Sequence, residues 1–192
     1  MVSIFKLGSC RTNLVDIETI TYNIGYSHTT REIIQYLKIY NDTLEVHDIP
    51  FIDCFITEMN NKQINRCKNH FHQSDTILIE LSSLKLYEYN GFYYNSNYHK
   101  LSTTENKDFI TMKLQSDNEF LEDMKEIVSL CGNKKVIFIG HLNMNFYDLP
   151  AFNSSYRVKI DELLKQCNYS SIILSELFKD YDYKEIIDKD IN

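Results

Sequence analysis

A chain of 192 residues, 43% of them apolar and only two of them proline, is long enough to bury one sizeable core, which excludes disordered, collagen-like and disulfide-stapled classes. Its 20 basic and 27 acidic residues give a formal charge of -7, and without a Lys/Arg cluster that balance argues against a nucleic-acid partner. The five cysteines (Cys10, Cys54, Cys67, Cys131, Cys167) form no CxxC pair and no short-range Cys/His ladder, so reduced thiols and no metal are expected. Apolar runs have strand length and the N-terminus lacks the basic-then-apolar order of a secretion signal. The expectation is a cytoplasmic protein without a membrane partner.

In chain order, Val2–Leu7 is an apolar run ended by Gly8-Ser9-Cys10-Arg11, a small-residue turn after a first strand. Thr29 with Glu32 three residues later predicts a helix N-terminus, and Ile33, Ile34, Leu37 and Tyr40 continue it at helical spacing. Leu44–Ile49 reads as a short second strand before Pro50, and Asn61–His72 as a helix with a thin apolar stripe. Thr76–Leu81 is nearly continuous in apolar residues, as in a strand covered on both faces, and is followed by Ser82-Ser83-Leu84-Lys85. Tyr87–Tyr98 is a Tyr- and Asn-rich stretch, read as loop packing or as a sugar-stacking surface built from Tyr87, Tyr89, Tyr93 and Tyr94. Ser116 and Glu119 form a second capping signal, opening a helix through Phe120, Met124, Ile127 and Cys131 that closes at Gly132. Lys135–Gly140 is a buried strand followed by His141-Leu142-Asn143, Ser154–Cys167 is a helix, Ser171–Leu174 a fifth strand, and Leu177–Asn192 a charged, partly helical tail.

Strands alternating with helices predict one α/β domain over residues 1–192, with a mostly parallel sheet covered by helices on both faces. The polar tails Gly8–Arg11, Ser82–Lys85 and His141–Asn143 then converge at the carboxyl edge of the sheet, where open α/β sheets place their ligands. Ser9, between a strand and the following segment, is a candidate nucleophile or oxyanion donor, against the plainer reading of a turn serine. Cys10 is a rival nucleophile or a small buried thiol, and Arg11 either holds a carboxylate or phosphate or points into water. His141 ends a buried strand on the same edge and suits general-base work, whereas His28, His47, His70, His72 and His99 are read mostly as solvated. Glu80, inside a buried strand, needs a partner such as Arg11 or Lys85 and is read as structural.

Gly8-Ser9-Cys10-Arg11 after the first strand, and Ile79-Glu80-Leu81-Ser82-Ser83-Leu84-Lys85 after a middle one, resemble the GSC-signature branch of the SGNH/GDSL hydrolase superfamily, which includes polysaccharide-biosynthesis acyltransferases. The resemblance implies a three-layer, flavodoxin-like α/β/α fold with Ser9 as nucleophile and its N–H in an oxyanion hole. Where that family carries Gly-x-Asn, this chain has Leu81-Ser82-Ser83, so Ser82 or Ser83 takes over the polar contacts, with Cys10, Arg11 and Asn143 as further substrate-binding candidates. The family's terminal Asp-x-x-His falls on Asp190, with its histidine one position past Asn192, which raises the expectation that the chain is the N-terminal part of a longer protein. His141 is the substitute base. The implied activity is transfer of an acetyl group from acetyl-CoA to a hydroxyl or amine of a sugar or nucleotide-sugar, with Arg11, Lys85 and Arg157 on the CoA phosphates. The alternatives are a carbohydrate esterase acting through Ser9 and a catalytically inactive carbohydrate-binding domain.

Overall fold

Strand β1 (Ile4–Leu7) pairs in parallel with β2 (Ile20–Tyr22) on one side and β3 (Thr76–Leu81) on the other, so that Phe5 lies opposite Ile77 and Leu7 opposite Ile79. The computed structural model describes residues 3–9, 20–22, 25–50, 61–94, 110–141 and 155–181. Between β2 and β3 run α1 (Thr30–Tyr40) and α2 (Asn61–Gln73). After β3 come β4 (Lys85–Tyr89), β5 (Phe92–Tyr94), β6 (Thr111–Leu114), α3 (Asp117–Cys131), β7 (Lys135–Gly140), α4 (Ser155–Gln166), β8 (Ser171–Ile173) and α5 (Leu174–Leu177). The five-stranded sheet has the order β2-β1-β3-β7-β8 with every pairing parallel. Counted along that sheet alone, the order is 2-1-3-4-5, the flavodoxin-like doubly wound arrangement of a three-layer α/β/α fold. Its direction of winding reverses between β1 and β3, the crevice where ligands bind in such sheets.

Burial explains why these segments became strands. Phe5, Leu7, Ile77, Ile79, Leu81 and Phe138 are all inaccessible to solvent and point to one face by the two-residue alternation of a strand. On that face Phe5 meets the rings of Tyr40 from α1 and Phe71 from α2 edge-on. Gly140, on the same face of β7, packs against Asp161 and Leu164 of α4 so closely that a methyl group there would overlap the Asp161 carboxylate. Lys6, Leu78, Glu80, Ile137 and Ile139 point to the opposite face. Of these Lys6 and Glu80 are buried, so two charged groups sit on one side of the sheet while the aromatic core fills the other.

The helix boundaries follow local chemistry. Thr29 has extended backbone and accepts the Glu32 N–H on its hydroxyl, while the Glu32 carboxylate reaches past Thr29 to take the His28 N–H at 2.9 Å. Ser116 and Glu119 form the reciprocal capping box of α3, and Gly132 ends that helix with φ 63°.

Three expectations fail. Leu44–Ile49 is not a strand: its donors are satisfied locally, Asp48 N–H on Glu45 and Ile49 N–H on Val46, in a 3₁₀ turn over Val46–Asp48. Leu44 and Val46 reach the core from that turn, which accounts for their alternation without a ladder. Tyr87–Tyr94 is not a loop but most of a hairpin, closed by Asn90 (φ 50°) and Gly91 (φ 80°), the two left-handed residues that a tight hairpin turn requires. With β6 it forms a separate antiparallel sheet, β5-β4-β6. Leu174 opens α5 instead of ending β8.

Candidate active site

Gly8 and Ser9 leave β1 at the crevice beside the end of β3, and the first polar side chain they meet is Glu80. The Ser9 hydroxyl donates to the Glu80 carboxylate, 3.0 Å from each oxygen, and the Ser9 N–H donates to Oε2 at 2.9 Å. Ser9 and Glu80 are each 2% exposed. An apolar strand can hold this carboxylate only because donors meet it, since an ionised group without them would be costly there. Ser9, 71 positions away, is one such partner, and Lys6 adds its charge from the same face of β1. Burial lowers the Lys6 ammonium to about 8, with the Glu80 carboxylate pulling the other way.

His141 follows β7, and its N–H donates to the Leu81 carbonyl, extending the β3–β7 ladder by one residue. Its Nε2 lies 3.9 Å from Glu80 Oε1 with both side chains buried. The three groups thus stand in the order serine, carboxylate, imidazole, with the carboxylate in the middle. The expected oxyanion donor, the Ser9 N–H, is committed to Glu80 instead.

A second hydrogen-bonded pair lies on the rim. His28 Nδ1 is 2.8 Å from Ser82 Oγ, and the His28 carbonyl accepts both the Ser82 and the Ser83 N–H at 3.0 Å. The preceding Ser27 N–H donates to the Gly8 carbonyl at 3.0 Å, so this short segment links the ends of β1 and β3. Beneath it Glu32 is buried, and desolvation raises its carboxyl to about 8 against the opposing hydrogen bonds from His28 and Thr29.

Of the residues expected at the site, Ser9, Ser82 and His141 are brought to one edge. Ser83 is also there, but its hydroxyl accepts the Lys85 N–H and shapes the turn into β4. Lys85 Nζ stands 5.2 Å from the centre of the Tyr156 ring on α4, and Arg157 is the next residue of that helix. Cys10, Arg11, Asn143 and Asp190 lie outside the described residues. Among the described residues no group of three His, Cys, Asp or Glu side chains could hold a metal ion. No described helix is long and apolar enough to cross a membrane.

Sequence reasoning missed Glu80 as a partner of Ser9, and it grouped His28 with histidines read mostly as solvated. The available signal for Glu80 was a lone carboxylate in an otherwise apolar strand. For His28 there was only its place just ahead of the Thr29 cap.

The profile of the TviD N-terminal domain matches residues 2–109. The chain belongs to that family. The matched stretch contains Ser9, His28, Glu80 and Ser82, while His141 falls beyond it. Among curated proteins and among solved structures no significant match was found. The TviD family connects the chain with the biosynthesis of capsular polysaccharide of the Vi-antigen kind.

Proposed function

We propose that this TviD-type domain is an acyltransferase that moves an acetyl group from acetyl-CoA to a hydroxyl or amino group of a sugar or nucleotide-sugar during glycan biosynthesis. The observation that carries the reading is the Ser9 hydroxyl 3.0 Å from both oxygens of a buried carboxylate at the β1–β3 crevice. The similarity of Gly8-Ser9-Cys10-Arg11 to the GSC branch of SGNH proteins supports it, as does the family's link to polysaccharide. In the first half-reaction Ser9 Oγ attacks the thioester carbonyl and Glu80 takes its proton. The C–S bond breaks, and the same proton passes to the departing sulfur, leaving acetyl-Ser9 and CoA. Burial of Ser9 keeps bulk water from that ester, which favours transfer over hydrolysis. Lys85 and Arg157 are the described cations proposed for the CoA phosphates.

The test is calorimetric titration with acetyl-CoA, followed by acid quench and mass mapping of the Ser9 peptide. Saturable binding with an acetyl group on Ser9 is expected. Ser9→Ala should bind acetyl-CoA yet lose turnover by about a thousandfold or more. Folded protein that binds no acetyl-CoA would sink the transferase reading. Rapid cleavage of an activated acetate ester without an acceptor would move the assignment to an esterase.

A further inference from the structure

Acyl transfer has a second half, in which the acceptor hydroxyl must lose a proton as it attacks acetyl-Ser9. We propose that His28 is the base that takes this proton and that Ser82 positions it; the proposal rests on the acyltransferase reading above. Three observations carry it. The backbone of His28 is fixed on both sides, its N–H on Glu32 Oε2 at 2.9 Å and its carbonyl under the Ser82 and Ser83 amides. The Ser27 amide ties the same segment to Gly8, the residue before Ser9. His28 and Ser82 are both partly exposed whereas Ser9, Glu80 and His141 are buried, which puts the His28–Ser82 pair on the solvent side of the proposed acceptor route.

The proposal places the Nδ1 proton toward Ser82 Oγ, 2.8 Å away. With Nδ1–H donating to that hydroxyl, Nε2 carries the lone pair that accepts a proton. The acceptor oxygen then bonds to the acetyl carbon, the bond from that carbon to Ser9 Oγ breaks, and the proton returns from the imidazolium to the serine oxygen. No co-reactant is consumed. His28 lies inside the segment matched by the TviD family, and His141 does not.

The experiment uses the full chain. Acetyl-Ser9 is formed with acetyl-CoA, and its decay is followed with glycerol, a hydroxyl acceptor that needs a base, and with hydroxylamine, which needs none. His28→Gln should form acetyl-Ser9 normally and react with hydroxylamine within about threefold of the parent, while glycerol-dependent decay falls about a hundredfold or more. Ser82→Ala should slow that decay about tenfold, and Ser82→Thr should restore most of it. Unchanged glycerol-dependent decay in His28→Gln overturns the assignment, as does an equal loss of acylation, glycerol and hydroxylamine reactions, which marks a structural role. Parent acetyl-Ser9 indifferent to glycerol also counts against it. If the parent forms no acetyl-Ser9 at all, the acyltransferase reading itself falls.

Discussion

The buried carboxylates of Asp123 and Glu80 are held in different ways. Asp123, on α3, receives hydrogen bonds on one oxygen from Thr30 at 2.7 Å and Gln115 at 2.6 Å, and pairs with Arg31 Nε at 2.7 Å outside hydrogen-bond alignment. Thr30 and Gln115 also bond to each other. Every donor in that cluster is anchored by a helix start or by the entry to α3, and the result ties α1 to α3. Glu80 instead takes two donors from Ser9, its N–H and its hydroxyl. An imidazole stands 3.9 Å off, and Lys6 supplies charge from below. Under the proposed function the contrast separates a clasp, whose carboxylate is held by several donors, from a pair in which the Ser9 proton can pass to Glu80.

The largest expected effect tests the clasp. Asp123→Ala should cost about 3 kcal/mol in urea unfolding, because it strands Thr30, Gln115 and Arg31 without their acceptor. Ser9→Ala should cost about 1–2 kcal/mol, less than Asp123→Ala because the Ser9 N–H still meets Glu80, while activity is lost. A Ser9→Ala protein destabilised as much as Asp123→Ala would make the Ser9–Glu80 pair a second clasp and dissolve the distinction.

Glu32, a third buried carboxylate, sharpens the comparison through pH. Its folded carboxyl is raised from 4.5 to about 8, so between those values the folded state holds a proton that the unfolded state has released. Stability from this group is therefore greatest below the unfolded value and falls as pH rises toward 8. Glu32→Gln keeps a neutral group of the same shape, and should remove this part of the slope. Unfolding curves at about pH 5 and about pH 9 should show the variant gaining on the parent by a few kcal/mol at the higher pH. Parallel curves for the two proteins would mean that the Glu32 carboxyl is ionised in the fold as it is in the unfolded chain. The smallest effect belongs to the α3 cap, where Ser116→Ala should cost about 1 kcal/mol in thermal unfolding without touching acyl transfer.

Features governed by neighbours in sequence were legible. The caps at Thr29 and Ser116, the stop at Gly132, and the apolar runs of β1, β3 and β7 all follow from local donors, φ restrictions and burial pattern. The parallel α/β class followed from their alternation, and with it the placing of Ser9, Ser82 and His141 on one edge. The hairpin was equally local, since Asn90-Gly91 between aromatic residues signals one, but its Tyr-rich flanks read as loop. Leu44–Ile49 misled for the opposite reason: its apolar spacing was that of a strand, while no neighbouring strand offered a ladder.

Sequence alone determined which segments fold, where helices start and stop, and that a serine would leave the first strand at the carboxyl edge of the sheet. Tertiary structure decided the partners. Glu80 meets Ser9 across 71 positions, and His28 meets Ser82 across 54. A hydrogen bond between residues so far apart carries no local pattern. It exists because parallel strands β1 and β3 bring their carboxyl ends together, and because the segment before α1 bridges them.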